Sequence, residues 1–286
     1  MRIAITSPAG KVDSEKLAKG VSFLKSCGYE IVLGQTLQEE EFWTAGSAEL
    51  RSKEFQDFWL DDDVDAVWAA RGGFGCAHLL DIIDWGGISG SESLLLGHSD
   101  ISVFHLAFLK YGISRSISAA MPAVELSTKV PDPLTVNSTL SLLSGDLGFL
   151  KAELRECEVL SAGSARGRLI PVTLSVLCSL CGTSYLPDFK DSILVLEDVN
   201  ESPYRIDSYM NQLRLNGILS SLSGLILGDF RNCGSELDLE YVYNKYKKEV
   251  RGPVLKGLAF GHCDPRLSLP VGEEVAFNAV DNVIEV

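Results

Sequence analysis

The sequence predicts an α/β protein, with an N-terminal parallel-sheet domain and a smaller, strand-rich C-terminal α/β domain. Three observations carry this. Short aliphatic runs alternate with stretches of helical periodicity through the first 125 residues, the pattern of a parallel sheet with crossover helices. The pattern weakens over residues 122–140, where Pro122, Pro131 and Pro133 stand among serines and threonines, as at a domain crossing. Beyond it the pattern turns strand-rich. The division therefore reads as 1–125 for the first domain, 126–150 for a crossing segment and 151–286 for the second domain.

Residues 2–6 make a first strand, closed by the turn Ser7-Pro8-Ala9-Gly10. Residues 14–27 make a helix, with Leu17, Val21 and Leu24 on one face. A second strand covers 30–33, a helix covers 47–60 before the acidic turn Asp61-Asp62-Asp63, and a third strand covers 66–69. That strand runs into Ala70-Arg71-Gly72-Gly73-Phe74-Gly75. Leu94-Leu95-Leu96 is a fourth strand, and the amphipathic stretch 104–109 is the helix after it. In the second half, 153–160 and 167–170 read as extended, 173–180 as a helix and 192–197 as a strongly apolar strand. Residues 204–216 form an amphipathic helix with Ile206, Met210 and Leu213 inward. Strands follow at 224–227 and 254–260, and the alternation over 274–286 predicts closing strands. No internal repeat or low-complexity linker interrupts the chain.

The chain has 286 residues and a formal net charge of −14, which argues against nucleic acid and anionic membranes as partners. The basic run Lys245-Tyr246-Lys247-Lys248 is short and reads as a solvated helix face. No apolar run reaches 18 residues, and the opening MRIAITSPAG reads as a strand rather than a signal peptide. Seven cysteines without framework spacing predict a reducing, cytoplasmic setting. Cys178 and Cys181 form a C-x-x-C inside an apolar helical run. With no second pair nearby, core packing is the expected role and neither metal nor cofactor is predicted.

Chemistry collects where parallel strands end, because ligands of such sheets sit beyond the carboxyl ends of the strands. The stretch Gly97-His98-Ser99-Asp100-Ile101-Ser102 reads as strand, tight turn and helix, with Ser99 lifted toward a helix N-terminus. Such a serine is a candidate nucleophile, and the competing role is that Ser99 or Asp100 caps the helix. The 192–197 strand ends at Glu197, whose alternatives are a histidine partner, a cap or a pair with Arg205. The 254–260 strand ends at Gly261-His262 and a loop. Of the four histidines, His78 reads as surface or packing, His98 as diverging from Ser99, and His105 as half-buried. That leaves His262 as the best-placed proton shuttle. The order Ser…Glu…His is that of one known hydrolase triad. The turn from Arg71 to Gly75 is neither G-x-G-x-x-G nor a P-loop; its bare amides suit an oxyanion or simply a tight turn.

Together the stretches ITSPAG, AARGGFGCAHLLDIID, LLGHSDIS, GTSYLPDFKDSILVLEDVNESPYRIDSYMNQLRLNGIL, GLILGDF and GHCDPRLSLPVG resemble the LD-carboxypeptidases. These are cytosolic serine peptidases of bacterial cell-wall recycling, and their relatives include the microcin C immunity peptidases. The resemblance covers nearly the whole chain. It implies two domains, a homodimer and no metal. It implies Ser99 as nucleophile in the N-terminal domain, with Glu197 as orienting acid and His262 as base in the C-terminal one. It places the oxyanion hole at backbone amides of Gly72 or Gly73 and of Asp100. The implied reaction removes the terminal D-alanine from a murein tetrapeptide at an L-to-D bond. Alternatives are hydrolysis of peptidyl or aminoacyl-nucleotide conjugates, with Tyr185 or Trp85 as a stacking aromatic, and a non-catalytic peptide-binding relative.

Two segments depart from the family. Ser118-Ala119-Ala120-Met121-Pro122 stands where a His-Gly-Pro-Met stretch is common, and Ile170-Pro171-Val172-Thr173-Leu174 where a Gly-Gly-Asn-Leu turn is common. Both bear on substrate preference more than on chemistry. A carboxypeptidase also needs a cation for the substrate's terminal carboxylate, and Arg71 and Arg205 are the candidates.

Overall fold

A computed structural model describes residues 1–280 and 283–285. The first half contains β1 (Arg2–Thr6), α1 (Ser14–Ser26), β2 (Glu30–Leu33), α2 (Ala48–Trp59), β3 (Ala66–Ala69), α3 (Trp85–Ile88), β4 (Leu94–Gly97), α4 (Ser102–Lys110) and β5 (Ser116–Ser118). Next come α5 (Pro133–Leu143), α6 (Gly148–Arg155), β6 (Glu158–Ser161), β7 (Gly163–Thr173), α7 (Leu174–Leu180), β8 (Ile193–Val199), α8 (Pro203–Leu215), α9 (Ile218–Ser221) and β9 (Gly224–Arg231). The last are α10 (Glu236–Tyr246), β10 (Val254–Lys256), β11 (Leu269–Val271), β12 (Glu274–Val280) and β13 (Val283–Glu285). Residues 281, 282 and 286 of the predicted closing strands lie outside the described residues.

The first sheet has the order β11-β5-β4-β3-β1-β2. Its five N-terminal strands run parallel, and β11 pairs antiparallel with β5. Helices cover a parallel sheet on both faces, so its inner strands are aliphatic throughout, as in the fully buried β3. The second sheet has the order β13-β12-β7-β8-β9-β10-β6. Strands β7 to β10 are parallel, and β6 and β12 pair antiparallel on the outer sides. β12 alternates exposed and buried residues as a half-covered strand must. The α/β class and the strand-rich character of the second half are as predicted.

Helix starts follow capping chemistry. Asp13 accepts the N–H groups of Glu15 and Lys16 at the start of α1, which buries Leu17, Gly20, Val21 and Leu24. Ser235 and Asp238 form a reciprocal capping box on α10. One core cluster spans both halves: Phe104 and Phe108 of α4 share it with Leu174 and Leu177 of α7 and Ile206 of α8. The Ser102 hydroxyl accepts the Thr173 N–H at 3.2 Å, tying α4 to the end of β7.

Three predicted elements differ. Residues 153–160 are not one extended run: α6 continues to Arg155, burying Leu150 and Leu154 one turn apart, and β6 follows. The strand predicted over 254–260 stops at Lys256, because Gly257 turns the chain with φ 89°. The weakly patterned segment holds the helix α5, started by the Asp132 cap and Pro133. Its buried face is hydroxylic. The Thr135 hydroxyl accepts the Arg266 N–H at 2.9 Å, that of Ser138 accepts the Ser268 N–H at 3.0 Å, and Thr139 Oγ1 pairs with Ser268 Oγ at 2.7 Å.

Candidate active site

β4 delivers the chain to a sharp turn. Gly97 has φ 151°, and a Cβ there would come within 2.9 Å of the Ile101 side chain and 3.0 Å of Ala69. Ser99 follows with φ 62°, a left-handed conformation that costs a non-glycine residue about 1–3 kcal/mol. It is half-buried, and Ser102–Lys110 runs on behind it as α4.

The glycine turn after β3 lies directly against this serine. A Cβ on Gly72 would sit 2.8 Å from Ser99 Cβ and 3.1 Å from its Oγ, so only bare backbone fits. Gly73 has φ 120°. The Gly10 N–H holds the Gly72 carbonyl at 3.2 Å. Arg51, 2% exposed, braces the same loops by donating to the carbonyls of Pro8 at 2.7 Å, Gly75 at 3.0 Å and Gly46 at 3.0 Å. The buried Asp100 carboxylate accepts the Cys76 N–H at 2.8 Å, which links the serine turn to the glycine turn; burial pushes that carboxyl up. Gly72 thus lies against Ser99 on one side, with Gly73 next to it in the turn and Asp100 next to Ser99 in the chain.

On the other side stands His262. Its Nε2 is 3.1 Å from Ser99 Oγ and its Nδ1 is 2.7 Å from Glu197 Oε2. The residues are 163 and 65 positions apart in the chain, and the turn after β4, the last half of β8 and the loop after β10 bring them into one line. Glu197 is 2% exposed. Burial pushes its carboxyl up, but the His262 hydrogen bond and charge, with the Thr173 hydroxyl, outweigh it and hold it below the ordinary range. Burial likewise lowers the His262 imidazole, and the Glu197 bond and charge outweigh that and raise it. A Cβ on Gly261 would meet Glu197 Oε2 at 2.9 Å, so glycine is what lets the loop approach the carboxylate.

Several positioning groups were not singled out from the sequence. Thr173 Oγ1 donates to Glu197 Oε1. Arg266, fully buried, donates to the carbonyls of Gly261 at 3.0 Å and Ser118 at 3.2 Å and to Ser118 Oγ at 3.0 Å. Both family-departing segments therefore carry site contacts: Ser118 holds the histidine loop and Thr173 holds the acid. Neither contact leaves a local pattern, since each partner is distant in sequence.

The other histidines have separate places. His98 turns from Ser99, as expected, and bonds Glu125 Oε1 at 2.8 Å, while its ring meets that of His262 edge-on at 5.3 Å. Burial pushes Glu125 up, but His98 and Arg266 outweigh it and hold it at about 2. His105 is fully buried rather than half-buried, because α4 is apolar on nearly all sides; its Nε2 bonds the Gly97 carbonyl at 2.8 Å. His78 is exposed against Phe74.

The two candidate arginines differ: Arg71 rests on carbonyls with no ion pair among the described residues, and Arg205 is ion-paired. Arg71 donates to the carbonyls of Gly72 and Lys11, each at 3.2 Å. Arg205 pairs with Glu201 at 2.7 Å and donates to the Tyr209 hydroxyl, so Glu197 is not its partner. Trp85 is buried and stacks on Tyr111, so it offers no open stacking face; Tyr185 is half-buried and its hydroxyl donates to Asp81. A cleft of about 670 Å³ extends beyond His262, bordered by Glu125, Asp132, Asn200, Arg231 and Asp264. Among the described residues no group of His, Cys, Asp and Glu is arranged to hold a metal ion, and no helix is long and apolar enough to cross a membrane. The geometry is that of acyl transfer: a hydroxyl, an imidazole, a buried carboxylate and bare amides around one point.

Known proteins resemble this chain over nearly its whole length. A family model described as LD-carboxypeptidase N-terminal domain matches residues 3–119, and one described as LD-carboxypeptidase C-terminal domain matches 166–277. A probable murein peptide carboxypeptidase of Bacillus subtilis is 31% identical over 98% of this chain and 89% of its own length. The murein tetrapeptide carboxypeptidase of Pseudomonas aeruginosa is 29% identical over 95% of this chain and 91% of its own. The crystal structure of muramoyltetrapeptide carboxypeptidase from Oxalobacter formigenes superposes with a TM-score of 0.84 at 29% identity, covering 99% of this chain and 97% of that one.

Proposed function

Because this chain belongs to the LD-carboxypeptidase family, we propose that it is a serine carboxypeptidase removing the terminal D-alanine from murein-derived tetrapeptides. The observation that carries the reading is the unbroken line Ser99–His262–Glu197, at 3.1 and 2.7 Å. Ser99 Oγ attacks the carbonyl of the L-to-D bond while His262 Nε2 takes its proton. Glu197, accepting a hydrogen bond from Nδ1–H and staying ionised, fixes the tautomer and stabilises the imidazolium. The oxyanion forms against the amides of Gly72 or Gly73 and Asp100, where one donor is worth about 3 kcal/mol. His262 then protonates the leaving amine, water attacks the acyl-enzyme, and the same imidazole serves again as base. No residue in this scheme requires a metal or cofactor.

The same reading takes 1–125 as the nucleophile-bearing domain, 126–150 as the crossing and 151–286 as the domain bearing Glu197 and His262. It takes the enzyme to be a cytoplasmic homodimer in cell-wall recycling, a setting supported by seven unpaired cysteines. The test is mass-spectrometric: purified protein with murein tetrapeptide should yield tripeptide and D-alanine, and Ser99→Ala should lower the rate by several orders of magnitude. Cleavage by the alanine variant at more than about a tenth of the parent rate would remove Ser99 as nucleophile. Turnover of peptidyl adenylate in place of tetrapeptide would favour the nucleotide-conjugate alternative, and turnover of neither the binding relative.

A further inference from the structure

We propose that the cleft beyond His262 is the subsite of the departing C-terminal amino acid, and that Arg231 binds its free carboxylate. This rests on the carboxypeptidase reading above and adds to it the residue that makes the enzyme specific for chain ends.

The direction of the cleft comes from the chemistry. The oxyanion sits on the side of Ser99 covered by the glycine turn, whereas the leaving amine must take its proton from His262 Nε2. The departing residue therefore lies on the imidazole side. The 670 Å³ cleft borders His262, Cys263 and Asp264 but neither Ser99 nor the glycine turn, so it continues the substrate path on that side.

Arg231 is the cleft's guanidinium. It closes β9, and its backbone carbonyl accepts the Asn200 N–H at 2.9 Å. Its Nη1 donates to the carbonyl of His262 itself at 2.9 Å, which sets the cation at a fixed separation from the base. The rest of its fork makes no salt bridge among the described residues, unlike Arg205 with Glu201; Asp229, two residues back on β9, is near enough to feel its charge but does not close on it. Beside it, Asn232 Nδ2 donates to Asn200 Oδ1 at 3.0 Å, which leaves the Asn200 amide nitrogen as a further donor in the cleft. The other charges there are carboxylates: Glu125 held by His98, Asp132 capping α5, and Asp264. An entering carboxylate is repelled by these and drawn to one place, which orients the terminal residue as well as holding it. The sequence offers no sign of this, because Arg231 and His262 meet only through the packing of β9 against the loop after β10.

The experiment uses Ser99→Ala protein, so that binding is read without turnover, with a tetrapeptide and its C-terminal amide measured by calorimetry. The acid should bind roughly ten- to a hundredfold more tightly than the amide, the range of a charged hydrogen-bonding contact. Adding Arg231→Gln should abolish that ratio through loss of acid binding alone, and Arg231→Lys should restore part of it. No acid preference in the Ser99→Ala parent overturns the assignment. So does a ratio unchanged by Arg231→Gln, or an equal loss for acid and amide, which would mean that Arg231 acts by propping His262. Turnover of the tetrapeptide by the unaltered enzyme is assayed separately, and its failure counts against the carboxypeptidase reading rather than against the subsite.

Discussion

Single atoms set the tolerance of the site. Gly72 has no side chain because Ser99 occupies the space where one would lie, 2.8 Å from the absent Cβ. Gly72→Ala should therefore lower the thermal midpoint, by the roughly 1–3 kcal/mol of an overpacked site, and lower kcat about a hundredfold in the molecules that remain folded, by pushing Ser99 and the nearby amides apart. Wild-type kcat in that variant would remove the turn from the oxyanion site. If the hydrogen-bonded Glu197 and His262 act as the one unit proposed, Glu197→Ala and His262→Ala should each cut kcat strongly, and the double variant should be little worse than His262→Ala alone. Glu197 raises the imidazole above its ordinary 6.5, so the acidic limb of kcat/KM should centre above pH 6.5, and Glu197→Gln should move it down. His105 behaves oppositely. Burial holds it at about 4 in the fold, against 6.5 when unfolded, so its contribution is present above pH 6.5 and is lost as pH falls through about 4. His105→Asn should flatten the dependence of the thermal midpoint on pH over that window.

Elements place these atoms, and their legibility differed for physical reasons. Strands β3 and β8 could be read because a strand buried on both faces is an aliphatic run. Ser99, Glu197 and His262 could be read because each follows or closes such a run. Helix α5 was hidden by its buried Thr135, Ser138 and Thr139, which satisfy the 266–268 segment instead of filling a greasy core. Three-residue β11 was hidden because its pairing with β5 is entirely tertiary. Yet β11 and α5 are what fold the histidine loop back onto the first sheet, with Arg266 as the pin. Arg266→Ala would strip the Ser118 and Gly261 carbonyls and the Ser118 hydroxyl of their donor in a closed interior. A loss of about 3 kcal/mol or more is expected, since each orphaned group costs about 1–3 kcal/mol. Turnover per folded molecule should fall too, because the Gly261 carbonyl adjoins the base. Denaturant unfolding and active-site titration of the same sample separate the two effects, and a stable variant with intact kcat would contradict the pin.

At the scale of the molecule, the Ser99–His262–Glu197 line crosses between two sheets, so its geometry depends on their moving as one body. The packing is of that kind. Phe104 and Phe108, behind the nucleophile, share a core with Leu174 and Leu177, behind the acid, and the first sheet is completed by β11 from the far end of the chain. Neither half can separate without exposing that core and stripping a strand from an edge, so unfolding should be a single cooperative transition despite the length of the chain. The tryptophans provide a direct probe, because all four, Trp43, Trp59, Trp68 and Trp85, lie in the first half. Tryptophan emission follows the first sheet alone, whereas far-ultraviolet dichroism follows both. The two signals should share one midpoint and one slope in urea, and Ser99–His262 chemistry should be lost at the same midpoint. A tryptophan transition displaced from the dichroism transition would show that the halves unfold separately. The site would then be an assembly of two independently stable domains rather than a property of one core.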